Sequence, residues 1–289
     1  METDNNMPKQ SLEVLRRAYS EELRIAGPVR RNPKVVEAFA KVPREKFLPP
    51  GPWTLHGMVS WRTPDANPAW VAHNVLISLD KRKSLNNGSP SMWAYLFDQL
   101  SLKPGERVLQ VGAGSGYYTA ILAEIVGRNG HIRAIEYDRR LARIARENLK
   151  ALPQVELIQG DASECDPGHD LDVIVVFTGG THPPSRWLER LAPGGRLLMP
   201  LVGDNTHGFM LRAVRRGRLR FDAKALSQVW IYLAKGFRAK SEARALKRAI
   251  DQLNGKLPKL RALHVGPVSN GQRKEAFYAT RTFWLSRAR

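Results

Sequence analysis

The stretch VGAGSGYY, Val111 to Tyr118, puts three glycines at alternate positions between a strand-like run, RVLQVG, and a helix-like run, YYTAILAEIVG. Gly112, Gly114 and Gly116 carry no Cβ, so a ligand can approach the main chain closely there. The spacing is GxGxG. The dinucleotide fingerprint, GxGxxG, would need its last glycine at Tyr117, and no GxxxxGK[ST] phosphate loop is present. Two acids follow. Glu136 closes the next strand-like run, HIRAIEY, where a carboxylate can accept hydrogen bonds from a ribose diol. Asp161 lies in QGDA, at the end of VELIQGD, where it can hold the amino edge of an adenine with help from the Ala162 backbone. Taken singly, these are a glycine-rich turn, an exposed Glu and a helix-capping Asp. Taken in order at three successive strand ends, which line the ligand crevice of an open parallel sheet, they point to an adenosine-bearing ligand.

The surrounding pattern supplies that sheet. LDVIVVF is a fourth, buried strand, SRWLERLAPGG reads as a helix with a Gly stop, and RLLMPL as a fifth strand. RRLARIARENLKAL is a helix between the second and third strands. Strands alternating with helices predict a parallel sheet with helices on both faces. Upstream, residues 10–25 carry Leu12, Leu15, Tyr19 and Leu23 at helical spacing. A second helix over 34–40 ends before VPREKFLPPGPW, whose prolines cannot continue it. Residues 50–85 read as irregular, with strand character near 71–79, and 90–100 as a helix. Downstream, GFMLRAVRRGRLRF reads as a hairpin, 240–253 as a basic amphipathic helix, and ATRTFWLSR as a last strand. These readings divide the chain into an N-terminal region (1–85), a ligand-binding core (86–236) and a basic C-terminal extension (237–289).

The glycine loop, Glu136 and Asp161 together resemble the class I S-adenosylmethionine-dependent methyltransferases. That resemblance implies a Rossmann-like fold with an open, mostly parallel seven-stranded sheet. It implies S-adenosyl-L-methionine as cofactor, held by Gly112, Ala113, Gly114, Ser115, Gly116, Glu136, Tyr137, Asp161 and Ala162. Three further stretches, VPREKFLPP, VLQVGAGSGYYTAILAEIVG and LAPGGRLLMPLVG, look like the protein-L-isoaspartate O-methyltransferases. The likeness covers about 32–214, and the last 75 or so residues match poorly. It implies carboxyl methylation of isoaspartyl residues in damaged proteins. In that family a segment of the type I-S-x-P-x-M covers the active site. Here the aligned stretch is NGSPSM: Pro90 and Met92 match, the family's Ser falls on Gly88, and Ser89 and Ser91 are the remaining hydroxyls. Gly88, Ser89, Ser91 and Thr178, the last just past the fourth strand, form the implied acceptor side. As a plain connector, the same stretch has Asn-Gly turn chemistry.

Other residues narrow the field. The seven His include no HxxxH or HExxH pair, so no metal is expected. His182, in TGGTHPP, reads as a loop residue rather than a base. The single Cys165 excludes an intramolecular disulfide and a cysteine zinc cluster, and fits a reducing cytoplasm. The fourth strand ends in VFTGG, without the cysteine or the Asn/Asp-Pro-Pro-aromatic motif of base methylases. No apolar run is long enough to span a membrane, and METDNNMPKQ lacks the order of a signal peptide. Trp53, Trp61, Trp70 and Trp93 read as packing residues. The net charge of +19 is uneven: residues 209–289 hold 20 Lys and Arg against 4 Asp and Glu. Such an end can attract nucleic acid, although no Arg/Gly or interleaved aromatic pattern accompanies it. Three functions stay open: an isoaspartyl carboxyl methyltransferase, an RNA methyltransferase docking through the basic end, and a cofactor-binding protein without catalysis.

Overall fold

The computed structural model describes residues 9–80, 83 and 85–288. The opening residues considered for a leader lie outside the described part, apart from the helical Lys9 and Gln10. The chain forms two compact units.

The first unit takes the described residues up to Gly105, with Ala113–His131 and Arg140–Val155. It holds α1 (Lys9–Ala26), α2 (Pro33–Lys41), α3 (Pro90–Leu100), α4 (Tyr117–Val126) and nearly all of α5 (Arg139–Leu149). It also holds a four-stranded sheet, ordered β2 (Ser60–Arg62), β1 (Thr54–His56), β3 (Leu76–Asp80), β4 (Leu85–Asn86). Helix boundaries follow local chemistry. Asn32 caps α2 by accepting from Lys34 N, and Pro33 opens it with a fixed φ. Pro90 opens α3 in the same way, and Ser101 closes it in the left-handed region. The PREKF motif is a structural staple. Its buried Arg44 donates to the carbonyls of Val71 (3.0 Å), His73 (2.7 Å) and Val75 (2.6 Å), and lies over the rings of Tyr19 and Tyr117. These bonds pair both terminal nitrogens of a guanidinium that would be costly to bury unpaired, while its buried Nε has no partner among the described residues.

The second unit takes Glu106–Gly112, Ile132–Arg139 and Glu156–Arg289. It is an open mixed sheet of ten strands ordered β13-β14-β12-β11-β10-β9-β8-β5-β6-β7. The strands are β5 (Arg107–Val111), β6 (His131–Glu136), β7 (Val155–Gln159), β8 (Leu171–Val176), β9 (Leu191–Val202), β10 (His207–Arg215), β11 (Arg220–Trp230), β12 (Leu260–Val265), β13 (Ala276–Ala279) and β14 (Phe283–Arg287). β5 pairs parallel with β8, and β8 with β9. From β9 onward the pairing is antiparallel. Two helices, α6 (Ser185–Arg190) and α7 (Lys240–Asp251), bury Trp187, Leu188, Leu246 and Ile250 in the same core as Phe209, Leu211, Phe221, Leu263, Phe283 and Leu285.

Two expectations are corrected here. The sheet has ten strands rather than seven, because the basic C-terminal residues feed three more strands into it. Leu263 and Leu285 in these strands are fully buried, while the charge sits on exposed positions such as Arg261 and Arg287. The helix read through LAPGG stops at Arg190. Leu191 already pairs with Leu171, and a register shift carries β9 on to Arg196 opposite Val173.

Candidate active site

Four strands of the second unit end side by side. Gly112 N donates to Ile135 O (2.8 Å), Gly160 N to Glu136 O (3.0 Å) and Phe177 N to Val111 O (2.8 Å). These bonds put Gly112, Glu136, Asp161 and Thr178 in one row at the carboxyl end of the sheet, the ligand-binding edge of open α/β sheets. Glu136 is buried, at 7% exposure, and its Oε1 accepts from Asp138 N at 2.8 Å. Tyr137 beside it is exposed, and its carbonyl accepts from Gln159 Nε2. Asp161 heads its own turn: Oδ1 accepts from Ser163 N (2.8 Å) and Ser163 Oγ (2.7 Å). The capping role weighed for it is thus filled by one oxygen. Buried Ala162 follows, its carbonyl accepting from Arg186. Thr178 Oγ1 donates to Tyr232 O at 3.0 Å.

From Gly112 the chain runs through Ala113, Gly114, Ser115 and Gly116 into α4. All three glycines have positive φ: +86°, +59° and +94°. Within the first unit, a Cβ on Gly116 would press on Leu149 at 3.0 Å, whereas a Cβ on Gly114 would meet nothing within 4 Å. Asn148 Nδ2 holds Ser115 O at 2.9 Å. Ala113 and Ser115 are buried. Two buried polar side chains flank the loop in sequence and have no hydrogen-bonding partner among the described residues. These are both amide atoms of Gln110 and the hydroxyl of Thr119. Within the second unit, Gly112 stands in one row with two strand-end carboxylates, and the Gln110 amide is buried without a partner among the described residues, a set that fits a polar, adenosine-bearing cofactor.

The NGSPSM segment lies in the first unit. Gly88 has φ +74°, its N–H donates to Asn86 Oδ1 (2.9 Å), and its carbonyl accepts from Tyr118 Oη (3.2 Å). A Cβ there would sit 2.8 Å from Trp93 Nε1. Asn87 is buried and bonds Ile77 through both its backbone N–H and its side-chain Oδ1. Ser89 and Ser91 bring their hydroxyls within 3.4 Å of each other, and Ser91 N donates to Asn74 Oδ1. Gly88→Ser, which restores the family's residue type, is therefore expected to destabilise the chain by about 1–3 kcal/mol through overpacking and positive-φ strain. A thermal melt of the variant reads this directly.

Sequence reasoning does not single out Tyr118, Asn74, Gln110 or Thr119. For Gln110 a signal is visible, since it is a polar residue inside a buried strand. Tyr118 is masked by its helix, because the burial that pushes its phenol well above the ordinary range also gives it an apolar pattern. Cys165 is half-buried, and burial, then Asp161, raises its thiol. Among the described residues no cluster of His, Cys, Asp or Glu is placed to hold a metal ion, and no helix is long and apolar enough to cross a membrane.

A family model for protein-L-isoaspartate(D-aspartate) O-methyltransferase matches residues 17–236. The chain belongs to this family. It is a family of S-adenosylmethionine-dependent methyltransferases. A protein-L-isoaspartate O-methyltransferase from Aeropyrum pernix is 37% identical over 185 residues, 63% of this chain and 64% of that protein. This chain thus matches just under two thirds of that relative's length. A solved protein-L-isoaspartate O-methyltransferase shares the fold with a TM-score of 0.65 at 18% identity, over 94% of this chain and 88% of that one. A structure from Plasmodium falciparum, assigned to the same family and in complex with S-adenosyl-L-homocysteine, superimposes with a TM-score of 0.61 at 19% identity, over 76% of this chain and 98% of that one. The poor match of the last residues is thus a matter of sequence. The family match stops at 236, while the fold match takes in nearly the whole chain.

Proposed function

We propose that this chain transfers a methyl group from S-adenosylmethionine to the free carboxylate of isoaspartyl residues in proteins. The carrying observation is the row of Gly112, Glu136 and Asp161 at adjoining strand ends, leading into a loop with open space at Gly114. When bound, the cofactor supplies an electrophilic sulfonium methyl. Glu136 is placed to accept from its ribose, Asp161 and the Ala162 backbone to hold its adenine, and the Gly112–Gly116 main chain to take the amino-acid end. Tyr137, exposed next to Glu136, is assigned to the same cofactor set.

The acceptor needs little help with its protons. A carboxyl group of this type titrates near about 3.9 and is ionised at neutral pH. The residues around it must orient it and keep water out, and alignment alone can supply several orders of magnitude in rate. The segment Gly88–Ser91 and Thr178 take that part. Gly88 offers backbone only, so Ser89 and Ser91 supply the hydroxyls on this wall.

Labelled S-adenosylmethionine offered with a matched isoaspartyl and aspartyl peptide, and with bulk RNA, tests the reading. Base-labile label on the isoaspartyl peptide alone is the expected result. Label on RNA, or none on either peptide with cofactor binding intact, sinks it. The RNA arm is included because of the +16 balance of residues 209–289, 20 basic against 4 acidic.

A further inference from the structure

The loop after β8, Thr178-Gly-Gly-Thr-His182, is built tightly within the second unit. A Cβ on Gly179 would collide with Val202, and one on Gly180 with Phe237 and Met199. The two glycines let the backbone pass between β9 and the segment after β11. Gly179 N bonds Tyr232 O (2.7 Å), Gly180 N bonds Pro200 O (3.1 Å) and Thr181 N bonds Phe237 O (3.2 Å). Thr181 is fully buried. Its hydroxyl accepts from Ala239 N (3.2 Å) and donates to Glu242 Oε2 (2.7 Å). The same carboxylate oxygen lies 2.6 Å from His182 Nδ1. Tyr278 Oη donates to Thr181 O (3.1 Å). Burial alone would raise the Glu242 carboxyl, but the hydrogen bonds from His182 and Thr181 hold it below its ordinary value.

A carboxylate only accepts, so Nδ1 of His182 carries the proton and Nε2 is the nitrogen left over. Nε2 has no hydrogen bond among the described residues, and the side chain keeps 23% of its surface exposed. Glu242 lies beyond the family match, which ends at 236. In the strand order β9-β8-β5-β6-β7, Glu136 and Asp161 follow β6 and β7, on one side of β5. His182 follows β8, on the other side, away from the two acids assigned to the cofactor.

We propose that His182 is a substrate-contacting specificity residue: Glu242 fixes its ring through Nδ1, and Nε2 bonds the main chain of the polypeptide acceptor. Neutral imidazole accepts a peptide N–H at Nε2, and imidazolium donates to a peptide carbonyl. Either gives one hydrogen bond from a rigid platform, which is what peptide selection requires. The inference rests on the methyl-transfer reading above.

The test is steady-state kinetics of the full chain with an isoaspartyl peptide, alongside calorimetric S-adenosylmethionine binding. His182→Ala is expected to raise the peptide KM about five- to tenfold, the loss of one hydrogen bond, with kcat within about twofold. Cofactor affinity stays at the wild-type value. His182→Gln, which keeps an amide near the place of Nε2, recovers most of the loss. Glu242→Gln raises KM about threefold, because a neutral amide oxygen holds the ring less firmly than a carboxylate. An active wild type with unchanged KM in His182→Ala overturns the inference alone. So does an equal loss in Ala and Gln variants accompanied by weakened cofactor binding, which marks a structural role. A wild type that binds cofactor but labels no isoaspartyl peptide overturns the methyl-transfer reading and takes this inference with it.

Discussion

Gly114→Val is expected to fold and to lose S-adenosylmethionine binding by about a hundredfold or more, roughly 2.7 kcal/mol. The three glycines of the loop are not equivalent. A Cβ on Gly112 would sit 3.3 Å from Phe177 Cβ, and one on Gly116 3.0 Å from Leu149, so both are required by the protein's own packing. Gly114 has no such neighbour within 4 Å. No described residue fills the place of a side chain there, and on the proposed reading that space takes the cofactor. The variant still carries a backbone cost, because φ is +59° and a β-branched residue is disfavoured in that region by about 1–2 kcal/mol. Gly114→Ala separates the two effects. It carries a smaller strain and keeps a Cβ in the ligand's path. Both variants are compared by thermal melt and by calorimetric titration with S-adenosylmethionine. A folded Gly114→Val chain with wild-type affinity would show that the loop does not hold the cofactor.

The glycine loop is legible in the sequence because its signals are local. Strand, loop and helix follow one another within RVLQVGAGSGYYTAILAEIVG, and each acid closes its own strand-like run. The same locality reveals the β10–β11 hairpin and the α7 stripe of Leu246 and Ile250. What escapes depends on distant partners. The C-terminal strands look like an appendage because β13 has four residues and β12 six, and the segments between them are basic. Only the pairing of β11 with β12, and of β12 with β14, shows that they extend the main sheet. His182 reads as a loop residue until a carboxylate 60 positions away is found at its Nδ1. The replacement of the family's Ser by Gly88 reads as a missing hydroxyl. The structure gives it a positive cause: φ is +74° and the Trp93 indole occupies the space a side chain would take.

Gly236 follows the same logic within the second unit and carries the second large effect. It ends the family match, has φ +87°, and lies so close to Asp161 that a Cβ would collide with Asp161 Oδ1 and Ser163 Oγ. Those are side-chain ends and can move, but only by breaking the two hydrogen bonds from Ser163 that fix the Asp161 carboxylate. Gly236→Ala is therefore expected to lose stability through positive-φ strain of about 1–2 kcal/mol and two hydrogen bonds of about 0.5–1.5 kcal/mol each. At roughly 2–4 °C per kcal/mol, the melting temperature falls by about 10 °C. Cofactor affinity is expected to fall too, by about tenfold, if Asp161 holds the adenine as proposed. Ser163→Ala removes one of the three colliding atoms and, with it, the Ser163 Oγ hydrogen bond to the carboxylate, while the Ser163 N bond stays. Added to Gly236→Ala, it should return part of the stability and little of the affinity. A collision that mattered only for packing would return both together. Recovery of stability without affinity is the result that ties Asp161, through a glycine 75 positions further on, to the cofactor rather than to its own turn.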